Sequence, residues 1–327
     1  MTTTLGTLGL GTAPIGNLYR EIDDERAAQT LEAAWSGGIR YYDTAPHYGL
    51  GLAERRLGAF LRDKPRDEYV VSTKVGRVLE PNPRFAGGRD LAHGFDVPDD
   101  LVRRFDPTLG GIRRSLEDSL ERMGLERIDI LFLHDPDAYD LDWGLRDGLP
   151  ALAQLRDEGL VDAIGVGVND SAVATRAVLE GDLDVVMIAG RYTLLDQTAA
   201  ADLLPACAAR GVTVVDAAIF NSGLLATSGP TAGARYDYGN APAEIVARAK
   251  ELANVCAQFG VELPTAAMHF PLRHPSVSTI VMGTANPASI VENLGRAAQS
   301  VPDELWVALT ERGLIADPAA TAQGGTA

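Results

Sequence analysis

Residues 40–54 read Arg40-Tyr-Tyr-Asp-Thr-Ala-Pro-His-Tyr-Gly-Leu-Gly-Leu-Ala-Glu54. Arg40 to Tyr42 is a short strand. Pro46 breaks it, the glycines that follow make a loop, and a helix restarts near Leu52. The unit is strand, loop, helix, with its polar residues Asp43 and Tyr48 at the carboxyl end of the strand. In a parallel α/β protein chemistry sits there, because the loops converge over that end of the sheet.

A phenol is a weak acid with a reference pKa of about 10. A nearby ammonium favours the phenolate and lowers that value. Only three of the 29 Lys and Arg residues are lysine: Lys64, Lys74 and Lys250. Lys74 closes the next apolar strand, Tyr69-Val-Val-Ser-Thr-Lys74. A lysine kept where arginine is the habit suggests chemistry specific to an ammonium. The third apolar strand, Ile128 to Leu133, ends in His134. If these strands are parallel neighbours, Asp43, Tyr48, Lys74 and His134 meet over one mouth. Singly each has a plainer reading: a cap, a packed aromatic, a strand-end charge and a buried histidine. On successive strand ends they favour a site.

The segments Asp-Thr-Ala-Pro-His-Tyr-Gly (43–49), Ser-Thr-Lys-Val-Gly (72–76) and Leu-Phe-Leu-His-Asp (131–135) resemble the aldo-keto reductase family. So do Ile-Gly-Val-Gly-Val-Asn (164–169) and Gly-Arg-Tyr-Thr-Leu-Leu-Asp-Gln (190–197), in the expected order. Residues 46–58 look most like a sugar-oxidising branch. The resemblance implies an α/β protein, a (β/α)8 TIM barrel, and an NAD(P)-dependent oxidoreductase. Tyr48 would be its acid/base, with Lys74 lowering the phenol pKa, Asp43 orienting Lys74, and His134 positioning the substrate oxygen. The leading reaction is oxidation of an aldose C1 hydroxyl to a lactone. Pyridoxal oxidation and general NADPH-dependent aldehyde or ketone reduction are the alternatives. A nucleotide-binding sensor without turnover is a third class, against which the intact set of four argues.

The same resemblance implies a cofactor site. Asn169 would hold the nicotinamide carboxamide, since its side chain both donates and accepts; the plainer reading is a cap for the helix at Ser171. The family's usual serine, glutamine and stacking aromatic fall at Val168, Ala189 and Ala217 here. Phe220 supplies a ring face instead, or packs in the core. Phe220, Asn221, Ser222, Gly223 and Leu224 belong to a turn expected to wrap the pyrophosphate with backbone amides. Gly283, Thr284, Asn286, Glu292 and Asn293 belong to the segment for the adenosine end. No Lys or Arg stands between His274 and Gly295, and a 2′-phosphate without a cation is poorly compensated. NAD is therefore expected over NADP, with NADP left open through an arginine from elsewhere. Asn17, Tyr19 and Trp143 are candidate substrate-binding residues, with Phe220.

The totals fit this. The chain has 327 residues, 46% hydrophobic and 23% charged, and a formal net charge of −16. That balance argues against a nucleic-acid or anionic-membrane partner and leaves a small-molecule substrate. Cys207 and Cys256 are too few for a disulfide framework. The amino terminus lacks a basic region before an apolar core, and no run of about 18 apolar residues occurs, so a cytoplasmic protein is expected. The five histidines show no metal-ligand spacing, so no metal is expected. Monomer and homo-oligomer both stay open.

Seven strand–helix units are readable, and repeated βα units without a composition break argue for one barrel domain over 1–327. A doubly wound sheet is the alternative on pattern alone. The glycine-rich residues 5–19 suggest a tight hairpin, which the resemblance implies floors the barrel, and the eighth strand is placed just after Leu294. Residues 76–106, 135–149 and 224–241 read as long loops, the first a functional loop or lid. The tail from Ala316 reads as frayed.

Overall fold

The computed structural model describes residues 5–231, 233–237 and 239–316, so the tail expected to fray lies outside it beyond Ala316. In chain order the strands are β1 (Leu8–Gly11), β2 (Tyr41–Asp43), β3 (Val70–Val75), β4 (Arg77–Pro81), β5 (Leu101–Phe105) and β6 (Ile130–His134). Then come β7 (Ala163–Val168), β8 (Val185–Ala189), β9 (Thr213–Ala217), β10 (Arg235–Tyr236), β11 (Gly239–Asn240) and β12 (Val277–Gly283). The helices are α1 (Asp24–Ser36), α2 (Leu52–Leu61), α3 (Leu109–Met123), α4 (Leu141–Asp157) and α5 (Ser171–Glu180). They continue with α6 (Leu203–Arg210), α7 (Ala243–Gln258), α8 (Leu263–His269), α9 (Pro287–Ala297) and α10 (Asp303–Glu311). Eight strands close a parallel barrel in the order β1-β12-β9-β8-β7-β6-β3-β2. No helix among the described residues is long and apolar enough to cross a membrane.

Side chains alternate across each strand. The outward set, including Leu10, Tyr42, Val71, Leu131, Val166, Ile188 and Ile280, forms one core with the helices. The inward set, Tyr41, Ile130, Phe132, Val185, Met187, Val215 and Val281, plugs the barrel with a second core, as this fold requires. One step further along each strand, the inward positions are Gly11, Asp43, Lys74, His134, Gly167, Ala189, Ala217 and Gly283. All eight line the cavity at the carboxyl end. Three neighbouring strands thus contribute polar side chains, and the other five contribute only Gly or Ala, which leaves a hollow beside them.

The helix layer fixes the polar side. Glu54 on α2 is fully buried. It accepts from Thr73 Oγ1 at 2.8 Å and from Arg122 Nε at 2.6 Å, joining α2 to β3 and α3. Gly58 lets α2 close on α3, since a Cβ there would overlap the Met123 backbone.

Several expectations are corrected. The eighth barrel strand is β1, not a segment after Leu294, which lies inside α9. Residues 8–11 pair with both β12 and β2 and form no hairpin. Glycine is needed there because a Cβ at Gly9 would stand 2.5 Å from the Tyr41 ring. Residues 135–149 are not a loop: after one 3-10 turn, α4 starts at Leu141, capped by Asp140, which accepts from Trp143 N. Pro150 lies inside that helix rather than at its start. Residues 76–106 carry the antiparallel hairpin β4–β5, and 224–241 the short ladder β10–β11.

Candidate active site

Asp43, Lys74 and Tyr48 are hydrogen-bonded in series. The Lys74 ammonium donates to Asp43 Oδ2 at 2.6 Å, to the Thr44 carbonyl at 3.0 Å and to Tyr48 Oη at 3.0 Å. An ammonium has three protons, so all three directions are fixed. Gly167 lies beside its stem, where a Cβ would stand at ordinary contact distance, 3.4 Å from Lys74 Cε. Ser72 Oγ donates to Asp43 Oδ1 at 2.7 Å, so the 2.9 Å contact between Tyr41 and Ser72 has Tyr41 as donor. Both carboxylate oxygens of a buried aspartate are thereby satisfied, which such burial demands.

The Lys74 contact favours the phenolate, and burial works against it. Burial pushes Tyr48 well above the usual tyrosine range, the Asp43 and Asp135 carboxylates add to this, and Arg77 opposes it. The Asp43 charge, 2.6 Å from the ammonium, offsets the pull that Lys74 alone would exert. His134 is held well below the usual histidine range by burial first, then by Arg77, Lys74, His47 and Arg103. It is therefore neutral near pH 7. The Tyr48 and His134 rings meet edge to face at 6.0 Å.

Sequence reasoning missed a set of residues around these four. His47 packs against Tyr48, Phe95 and His134, with ring centroids 6.2, 5.3 and 5.6 Å away. The β4–β5 hairpin reaches the same place: Arg103 pairs with both Asp90 carboxylate oxygens and donates to the His47 carbonyl at 2.9 Å. Arg77 from β4 pairs with Asp135 at 2.6 Å. A His-Tyr pair in a turn and an Asp beside His134 were visible in the sequence. The partners, 10 to 60 residues away, carry no local signal.

The cavity holds about 920 Å³. Of the residues expected at a cofactor, Asn169, Phe220, Asn221, Ser222, Gly223, Gly283 and Thr284 line it, and Leu224, Asn286, Glu292 and Asn293 do not. The helix cap beside Asn169 is Asp170, which accepts from Ala172 N and Val173 N. Asn169 itself lines the cavity. Ala218, Asn221, Ser222 and Gly223 take positive φ, forming a tight turn. The turn uses the N–H groups of Asn221, Gly223 and Leu224 on its own carbonyls. Leu224 is buried in the core. Asn286 caps α9, and Asn293 and Glu292 face Arg296. Arg26 on α1, remote in sequence, donates to the Ala285 carbonyl at 3.0 Å and to Asn286 Oδ1 at 2.8 Å.

Of the residues expected at the substrate, Tyr19 lines the cavity with Arg235 over its ring at 4.0 Å. Asn17 does not line it: buried, it accepts from Arg56 and Ile22 and donates to the Asp96 carbonyl. Trp143 sits on α4 with its Nε1 donating to Asp147 at 2.8 Å, outside the cavity. No group of three or more metal-ligand side chains gathers among the described residues.

The model of the Aldo/keto reductase family matches residues 7–311. The D-threo-aldose 1-dehydrogenase of a Pseudomonas species is 53% identical over 312 residues, covering 95% of each chain. The pyridoxal 4-dehydrogenase of Microbacterium luteolum is 41% identical over 328 residues, again covering 95% of each. Among solved structures, the glycerol dehydrogenase AKR11B4 of Gluconobacter oxydans superposes with a TM-score of 0.71 at 22% identity, over 97% of this chain and 95% of its own. That likeness concerns the fold alone.

Proposed function

The chain belongs to the aldo/keto reductase family and is an NAD(P)-dependent oxidoreductase acting on CH–OH and carbonyl groups; from that premise we propose that it oxidises the C1 hydroxyl of an aldose to the lactone, with NAD as acceptor. The observation that carries this reading is the serial contact Asp43–Lys74–Tyr48 beside a neutral His134, at the edge of the hollow made by Gly11, Gly167, Ala189, Ala217 and Gly283. A Cβ at Gly11 would meet Val281 at 3.1 Å, so this hollow depends on small residues and suits a flat ring. Bound there, the nicotinamide would supply the hydride acceptor. Asn169, which lines the cavity, is the residue to hold it.

The protein groups then divide the work. Tyr48 takes the hydroxyl proton as the C1 hydrogen leaves, and returns one in the reductive direction. Lys74 stabilises the phenolate through its 3.0 Å contact, and Asp43 with Ser72 keeps the ammonium in place. Neutral His134 positions the substrate oxygen. The aldose assignment follows the 53% identical relative, whose name states that substrate class.

NAD over NADP is supported by the lack of any Lys or Arg in 275–294 and by the commitment of Arg26 to Ala285 and Asn286. Arg26 is also what would favour NADP, if its guanidinium turned to a phosphate. The buried free thiols Cys207 and Cys256 support a reducing, cytoplasmic setting. The test is reduction of NAD or NADP, followed by absorbance, with L-fucose, L-galactose, D-arabinose and pyridoxal. Reduced NAD from one of the sugars supports the proposal. Consumption of NADPH by simple aldehydes, with no sugar oxidised, would overturn it.

A further inference from the structure

Asp135 stands beside the four residues above and has a geometry of its own. It follows His134 directly, at a φ of 39°, a left-handed conformation that Asp tolerates better than most residues. Its N–H donates to the Gly167 carbonyl at 3.1 Å, which ties the turn to β7. The side chain is 20% exposed and lines the cavity. Oδ2 accepts from Arg77 at 2.6 Å and lies 3.4 Å from His134 Nε2. Arg77 is itself buried, with its guanidinium over the Phe105 ring at 5.6 Å. Among the described residues, Oδ1 of Asp135 has no hydrogen-bond partner.

We propose that Asp135 is a specificity-determining residue whose Oδ1 accepts a hydrogen bond from the substrate hydroxyl on the carbon next to the reacting one, with Arg77 clamping the carboxylate for that purpose. The proposal rests on the aldose reading and deepens it. A carboxylate only accepts, so its ligand group has to donate. An aldose carries such a donor at C2, one carbon from the oxygen that His134 positions. Asp135 adjoins His134, with 3.4 Å between His134 Nε2 and the clamped Oδ2, so neighbouring oxygens of one sugar can reach both residues. A substrate without that hydroxyl leaves a partly buried acceptor unpaired, which is how polar sites reject analogues. Burial pushes the Asp135 carboxyl up and Arg77 is the first group to oppose this, so the clamp also keeps the acceptor ionised.

The test compares kcat/KM for L-fucose and 2-deoxy-L-fucose, each with NAD, in wild type, Asp135→Asn and Arg77→Met. Asparagine tolerates the left-handed backbone, and nucleotide binding measured by protein fluorescence checks that each variant is folded. In Asp135→Asn the Arg77 donor holds the amide oxygen and leaves the NH2 group, a donor, facing the cavity, so L-fucose oxidation should fall about 10- to 100-fold. The 2-deoxy sugar, already slow in wild type, should change by less than about threefold, since the contact it lost is the same one. Arg77→Met should show the same pattern. Equal losses on both sugars, or no loss on either, would overturn the proposal and leave the aldose reading standing. A wild-type protein that oxidises neither sugar would overturn the two together.

Discussion

Lys74→Met separates the structural from the chemical work of one ammonium. The substitution keeps the stem beside Gly167 and removes three hydrogen bonds of 2.6, 3.0 and 3.0 Å. Asp43, 2% exposed, then keeps one donor, Ser72, and its charge is uncompensated. Breaking a buried pair from one side costs about 3–5 kcal/mol, so urea unfolding should show a loss of that size. The phenolate also loses a charge-assisted hydrogen bond of about 1.5–3 kcal/mol, or roughly one to two pKa units. At fixed pH the oxidation rate should therefore fall by at least about 10- to 100-fold. The double variant Lys74→Met/Asp43→Asn removes the stranded charge as well. Its stability should return most of the way while its rate stays as low as that of the single variant. A single variant of wild-type stability, or a double variant that regains activity, would refute the assignment of Lys74 as both counter-ion and phenolate stabiliser.

Three further outcomes follow from the same structure. Tyr48 has to be deprotonated to act as base in oxidation, and burial holds its pKa above the ordinary value. Oxidative kcat/KM should thus rise about tenfold per pH unit through neutrality and above, and Tyr48→Phe should remove that limb while nucleotide still binds. His134, held neutral, should add no acidic limb near pH 6, which the same profile checks. Asp216 is fully buried with neither carboxylate oxygen paired among the described residues, and burial raises its pKa. An acid whose folded pKa is raised adds stability below its unfolded pKa of about 3.9 and loses it as pH rises toward the folded value. Asp216→Asn should therefore be more stable than wild type by about 1–3 kcal/mol at pH 7.5, with the gap closing by pH 4, as read by urea unfolding.

The parts of the fold and site legible in the sequence were those with a local signal. Asp43, Lys74 and His134 each close an apolar strand, and strand alternation alone brings them to one ring. β1 was hidden because Gly9 and Gly11 fill its inward positions, where Tyr41 and the cavity exclude a side chain, and glycine reads as turn. α4 was shortened because Pro150 signals a start, whereas here it lies inside the helix. Arg77, Arg103 and Arg26 are set by tertiary packing: each meets a partner 58, 56 or 259 residues away. Residues 275–294 hold no cation of their own, and Arg26 reaches them from α1. Asn17 and Trp143, candidates for the substrate, are engaged by Arg56 and Asp147 instead.

Hydride transfer from C1 of an aldose is the central claim, and isotope transfer tests it most directly. The protein would be incubated with NAD and L-fucose deuterated at C1, and both products weighed by mass spectrometry. The prediction is reduced NAD carrying one deuterium, and a lactone that has lost it. Unlabelled reduced NAD, deuterium retained in the sugar product, or no reduced nicotinamide with any aldose of the panel would contradict it.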